Sequence, residues 1–208
     1  MFVFHVILQK KIMSSDKFRN KYRTDSARAQ WYNYGGNGAY FVTICTKNRE
    51  HYFGKIVNGT MRLSEIGEIA QSEWQKTKEL RSDMNLLLGE FIVMPNHFHC
   101  VVCIGDNPYN DCRRDAMHCV STITTHNNKF GVQSKNLSSI IRGFKIAVTM
   151  YAKKHNMDFA WQPRFHDRII RNKNEYKRIA NYIINNPETW DMDRLNSVVE
   201  TQCIASLP

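Results

Sequence analysis

Apolar residues come in short bursts along the middle of the chain, and turn-forming residues bound each burst. Gly35-Gly36-Asn37-Gly38 breaks the chain, after which 39–46, with Tyr40, Phe41, Val42 and Ile44, predicts a first core strand. Residues 53–63 predict a hairpin, because Asn58-Gly59 supplies the positive backbone angles of a tight turn. Ser64 is a suitable N-cap for a helix whose apolar positions Ile66, Ile69, Ala70 and Trp74 recur at helical spacing and end near Leu80. Residues 86–94 and 98–104 predict two further core strands, and Pro95-Asn96 makes a sharp joint between them. Helical periodicity returns over 137–154 with Ile140, Ile141, Phe144, Ala147, Val148 and Tyr151. A loop from Trp161 leads into a last strand ending near Arg171, with Trp161 expected in the core. Asn172 and Glu175 then form a capping-box-like start to a final helix that Asn186-Pro187 ends. The packed stripe of that helix is expected to be Tyr176, Ile179, Ala180, Ile183 and Ile184, with Tyr182 and Asn186 sharing an adjacent face.

Three stretches lack such patterning. Residues 1–22 read as an N-terminal extension whose apolar start is too short to span a membrane, and Met13 is an alternative start. Residues 106–135 are polar and aperiodic, which predicts a long surface loop. Residues 191–208 read as a weakly structured tail with no identifiable chemistry, which leaves 23–190 as the domain.

Composition adds a partner class. The 208 residues carry 29 Lys and Arg against 19 Asp and Glu, a net charge of +10, and an excess of that size favours polyanions such as nucleic acid. Residues 17–34 interleave Arg19, Lys21, Arg23 and Arg28 with Trp31, Tyr32 and Tyr34, the mixture of phosphate-pairing cations and stacking rings that single-stranded nucleic acid uses; a solvated tail has the same composition. Arg142 and Lys145 lie off the apolar stripe of the 137–154 helix and are further candidate phosphate contacts. Of the six cysteines, Cys100 and Cys103 lie within the apolar strand run, where free cysteine behaves as a small hydrophobe, and a reducing, cytoplasmic setting is expected rather than a disulfide scaffold.

The candidate chemistry centres on Met94-Pro95-Asn96-His97-Phe98-His99. Side chains alternate along a strand, so His97 and His99 share a face while Phe98 points into the opposite layer. Two imidazoles on one face, about 6 to 7 Å apart along the strand, can share a divalent ion. They can equally be two buried, hydrogen-bonded histidines. A histidine-triad hydrolase would need a third alternating histidine, where this chain has Val101.

Three motifs in order, Met94 to His99, then Trp161-Gln162-Pro163-Arg164-Phe165, then Asn181-Tyr182-Ile183-Ile184-Asn185-Asn186-Pro187, resemble the IS200/IS605-like single-tyrosine transposases, and in particular their REP-associated branch. The resemblance implies an α+β fold, a ferredoxin-like β-α-β-β-α-β sandwich with a central antiparallel sheet and a C-terminal catalytic helix. It implies Tyr182 as nucleophile and His97, His99 and Asn186 as ligands of Mg²⁺ or Mn²⁺. The implied substrate is hairpin-forming single-stranded DNA, handled by a monomer or homodimer in the cytoplasm, at the nucleoid and away from membranes. A domesticated protein that binds hairpin DNA or RNA without moving it is the alternative. Loss of Tyr182, His97 or His99 would mark it, and all three are present.

Overall fold

A computed structural model describes residues 34–107 and 135–196. The chain divides into a unit of residues 1–32, outside the described residues, and a unit of residues 33–208. Among the described residues, six strands and three α-helices follow in the order β1 (Gly38–Cys45), β2 (Gly54–Val57), β3 (Thr60–Leu63), α1 (Glu65–Leu80), β4 (Leu86–Met94), β5 (His97–Ile104), α2 (Leu137–Lys154), β6 (His166–Ile170) and α3 (Lys173–Asn185). The expected 106–135 loop falls almost entirely outside the described residues, as do Arg19, Lys21, Arg23, Arg28, Trp31 and Tyr32.

Local chemistry accounts for the element ends. Asn58 and Gly59 adopt positive φ of 51° and 69° at the tip of the β2-β3 hairpin, the backbone a two-residue turn demands. The Ser64 side chain accepts from the Gly67 amide to start α1. Asn136 and Ser139 form a reciprocal capping box at α2, and Asn172 accepts from the Glu175 amide at α3.

Without the β2-β3 hairpin, the described chain order is β-α-β-β-α-β followed by α3. The main sheet is antiparallel in the order β4-β5-β1-β6, so β1 and β5 are its central strands. Alternation divides the side chains of β5 between two layers. Phe98 meets Trp74 of α1 and Phe144 of α2, with ring centroids 5.3 and 5.0 Å away, so both helices cover that face. The other face carries Phe41 and Val101, which pack with Ile170 against Ile179 and Ile183 of α3. Trp161 sits half-buried in an aromatic group with Phe53, Phe144 and Phe159.

Two details place α3. The register slips between Leu88 and Phe91 on β4, and Glu90, within that irregularity, accepts from the Tyr176 hydroxyl at 2.6 Å. Arg168 of β6 pairs with Glu175 at 2.8 Å. The α3 stripe differs from expectation at Ile184, which is 59% exposed: Ile179, Ala180 and Ile183 fill the contact with the sheet, and position 184 turns past it.

Candidate metal centre and tyrosine

Strand β5 begins at His97, one residue earlier than its apolar run, because His97 pairs with both Cys45 and Met94 across the sheet. His97 and His99 lie on the face that α3 covers. They are 0% and 1% exposed, and their ring centroids are 4.4 Å apart.

Each ring is oriented by its Nδ1. The Asn96 Nδ2 donates to the Leu195 carbonyl at 2.7 Å, which turns its Oδ1 toward His97 Nδ1, 2.8 Å away. An amide oxygen only accepts, so His97 carries its proton on Nδ1 and presents the lone pair of Nε2 to the site. That Nε2 is buried and has no hydrogen-bond partner. His99 Nδ1 lies 2.8 Å from the Thr43 hydroxyl, directly across the strand pair, and its Nε2 lies 3.3 Å from the Tyr182 hydroxyl. A neutral phenol donating to Nε2 places the His99 proton on Nδ1, matching His97.

Burial depresses the basicity of both rings. His99 falls to about 3 through burial. His97 falls well below its ordinary value, first through burial and then through His99, Arg49 and His51. Both are therefore neutral near pH 7, the state that binds metal.

Helix α3 brings Tyr182 over this pair. Its ring stands edge-on to Phe41 at 6.1 Å, and the residue remains 41% exposed. Burial and the charge of Asp193 push the phenol up to about 12, against a hydrogen bond with Asn186 that pulls it down. Asn186 caps the C-terminal end of α3, where the helix dipole favours positive charge. It is 1% exposed, its Nδ2 donates to Asp193 Oδ2 at 3.2 Å, and its Oδ1 is buried without a partner.

Asp193 was not expected here, since 191–208 read as a tail without chemistry. Trp190–Met192 instead form a short 3-10 turn, and Trp190 is buried beside the rings of His97 and His51. The chain then reverses so that Asp193 Oδ1 accepts from the Leu195 amide at 2.7 Å. Ligand atoms of His97, His99 and Asp193 all lie within 4.8 Å of one another, a group able to hold a metal ion. An Asp that bonds the amide two residues on is a local signal for a turn, but nothing local says where that turn will dock. A second residue absent from the expectations is Arg49. It follows Asn48 in a turn where both have positive φ, and its Nη1 is buried and unpartnered.

The cationic candidates on α2 lie elsewhere. That helix covers the face opposite the histidines. Arg142 is exposed, and Lys145 donates to the Gln162 and Arg164 carbonyls at 2.8 and 3.0 Å, holding the segment that leads into β6. Burial brings the Lys145 ammonium down to about 8.

The comparisons with known proteins agree with this architecture. The solved structure of a REP-associated tyrosine transposase bound to a REP hairpin aligns over 88% of this chain and 95% of its own, with a TM-score of 0.50 and 20% identity. The chain has the tyrosine-transposase fold. Within that fold the described residues supply an antiparallel four-stranded sheet and three helices, with the histidine pair on the sheet and the tyrosine on the last helix. No protein-family profile matches the chain. An uncharacterized protein of Haemophilus influenzae is 33% identical over 171 residues, which are 82% of this chain and 91% of that one, and the chain belongs to its family. No helix among the described residues is long and apolar enough to cross a membrane.

Proposed function

We propose that the protein cleaves and rejoins single-stranded DNA at hairpin-forming ends, with Tyr182 as nucleophile and a divalent ion, Mg²⁺ or Mn²⁺, held by His97, His99 and Asn186. One observation carries the reading: two buried acceptor atoms, His97 Nε2 and Asn186 Oδ1, lack partners, and the Tyr182 hydroxyl lies 3.3 Å from the second histidine. Orphaned buried acceptors are costly unless something binds them. A mixed nitrogen and oxygen donor set suits a divalent cation. The tyrosine-transposase fold, and the REP hairpin in the solved structure that shares it, supply the substrate class.

The residues divide the work. Asn96 and Thr43 hold the two imidazoles in the metal-ready tautomer, and at the end of α3 Asn186 donates to Asp193, whose carboxylate lies within 4.8 Å of both histidine ligand atoms. When bound, the ion supplies Lewis-acid polarisation of the scissile phosphate. The phenol at about 12 keeps its proton at neutral pH, so Tyr182 is a poor nucleophile until a phosphate and its counter-charge are in place. Attack forms the tyrosyl oxygen to phosphorus bond and breaks the phosphorus to 3′-oxygen bond. A 5′-phosphotyrosine and a free 3′-hydroxyl result, and the bond energy is retained for rejoining. The partial exposure of Tyr182 gives an unpaired strand access to it.

Incubation with labelled hairpin oligonucleotides from the flanks of the gene, with Mg²⁺ or Mn²⁺, tests the reading by denaturing gel and mass spectrometry. A covalent adduct should form with the native chain and vanish in Tyr182→Phe, while hairpin affinity and melting temperature stay within experimental error. Tight hairpin binding with no adduct under either ion would favour a binding protein that no longer transfers strands.

A further inference from the structure

We infer that Asp193 is an anionic ligand of the metal centre, so that ion binding fastens the segment after α3 to the face of the sheet. The inference rests on the proposed metal site and adds a ligand from outside its motifs. Three observations carry it. The carboxylate oxygen lies within 4.8 Å of both histidine ligand atoms. Both Asp193 oxygens are oriented by donors, Oδ1 by the Leu195 amide and Oδ2 by Asn186 Nδ2, and each retains a lone pair. The two orphaned acceptors of the site, His97 Nε2 and Asn186 Oδ1, belong to the side chains on either side of it, and both residues are at most 1% exposed.

Charge favours the ligand in the absence of DNA. Two neutral imidazoles and an amide leave a buried divalent ion with its full charge, whereas one carboxylate halves it. The segment is already seated: Trp190 lies against the His97 ring, Leu195 accepts from Asn96, and Asn196 donates to the Trp190 carbonyl. Coordination by Asp193 would join this seat to the sheet through the ion. The residue is thus a binding ligand and also the clasp of residues 190–196.

Direct Mn²⁺ binding to the full chain, followed by electron paramagnetic resonance and calorimetry without DNA, tests this. Asp193→Asn should weaken Mn²⁺ roughly tenfold or more. The native chain should show Mn²⁺-dependent slowing of amide exchange across 190–196, and Asp193→Asn should abolish it. A metal-free melting temperature equal to the native one would confirm that the Asn variant folds. Native-like Mn²⁺ affinity in Asp193→Asn, with binding lost in His97→Ala, would overturn the inference and leave the proposed site standing. Failure of the native chain to bind Mn²⁺ or Mg²⁺ would overturn the metal site itself.

Discussion

Asn96 decides which nitrogen of His97 faces the metal site, and its side chain works in two directions at once. Its Oδ1 accepts a hydrogen bond from His97 Nδ1–H and its Nδ2 donates to the Leu195 carbonyl. Partners of this kind set the tautomer and ring angle of a ligand, and their loss commonly costs 10- to 100-fold in metal affinity. Asn96→Ala should therefore weaken Mn²⁺ binding by about that factor in a calorimetric titration, with little change in secondary structure by circular dichroism. Lys145 offers a residue-scale test of a different kind. Its folded pKa of about 8 lies below the ordinary 10.5, so the unfolded chain binds the extra proton between those values. Stability then rises with pH across that window, and the cost of burying the charge is fully present below it. Native protein should gain urea resistance relative to Lys145→Met as pH rises from 8 to 10.5. A constant gap between the two midpoints would show that Lys145 titrates normally.

Among the elements, α1 shows why propensity alone misleads. Gly67 lies in its first turn, where Ala is usually worth about 0.5–1 kcal/mol over Gly. A Cβ there would stand 2.3 Å from the Phe53 carbonyl oxygen. Gly67→Ala should therefore destabilise by about 1–3 kcal/mol, measured by chemical denaturation, since the hairpin approach must open to admit the methyl. The elements were legible in the sequence to the extent that their signals are local. Asn58-Gly59, the Ser64 cap, the 137–154 periodicity and the Asn172-Glu175 start all appear where the residues dictated. The exposure of Ile184 is not legible in the sequence, because an apolar residue beside a packed stripe looks the same whether or not the sheet reaches it. The histidine pair and its shared face were legible because strand alternation is strict, whereas Asp193 was not. Its place depends on Trp190 docking against His51 and His97, a contact between distant parts of the chain that no periodicity announces.

Across the molecule, the two faces of the sheet have separate duties. One face carries α1 and α2 over an aromatic core around Phe98, which fixes β5 from behind. The other carries α3, the histidines, Asn186 and the turn at Trp190. The excess of +10 is a property of the whole chain and suits the polyanionic substrate proposed above. Arg19, Lys21 and Arg23 lie outside the described residues, and α2 sets Arg142 and Lys145 on the face away from the histidines. The register of α3 has a further consequence. Tyr182 reaches His99 at 3.3 Å within a single chain, held there by the Tyr176-Glu90 and Arg168-Glu175 contacts of the same chain. A copy lacking the nucleophile and a copy lacking a histidine should then be unable to rescue each other. An equimolar mixture of Tyr182→Phe and His97→Ala should form no adduct with a hairpin strand, whereas exchange of helices between copies would restore a measurable fraction of it.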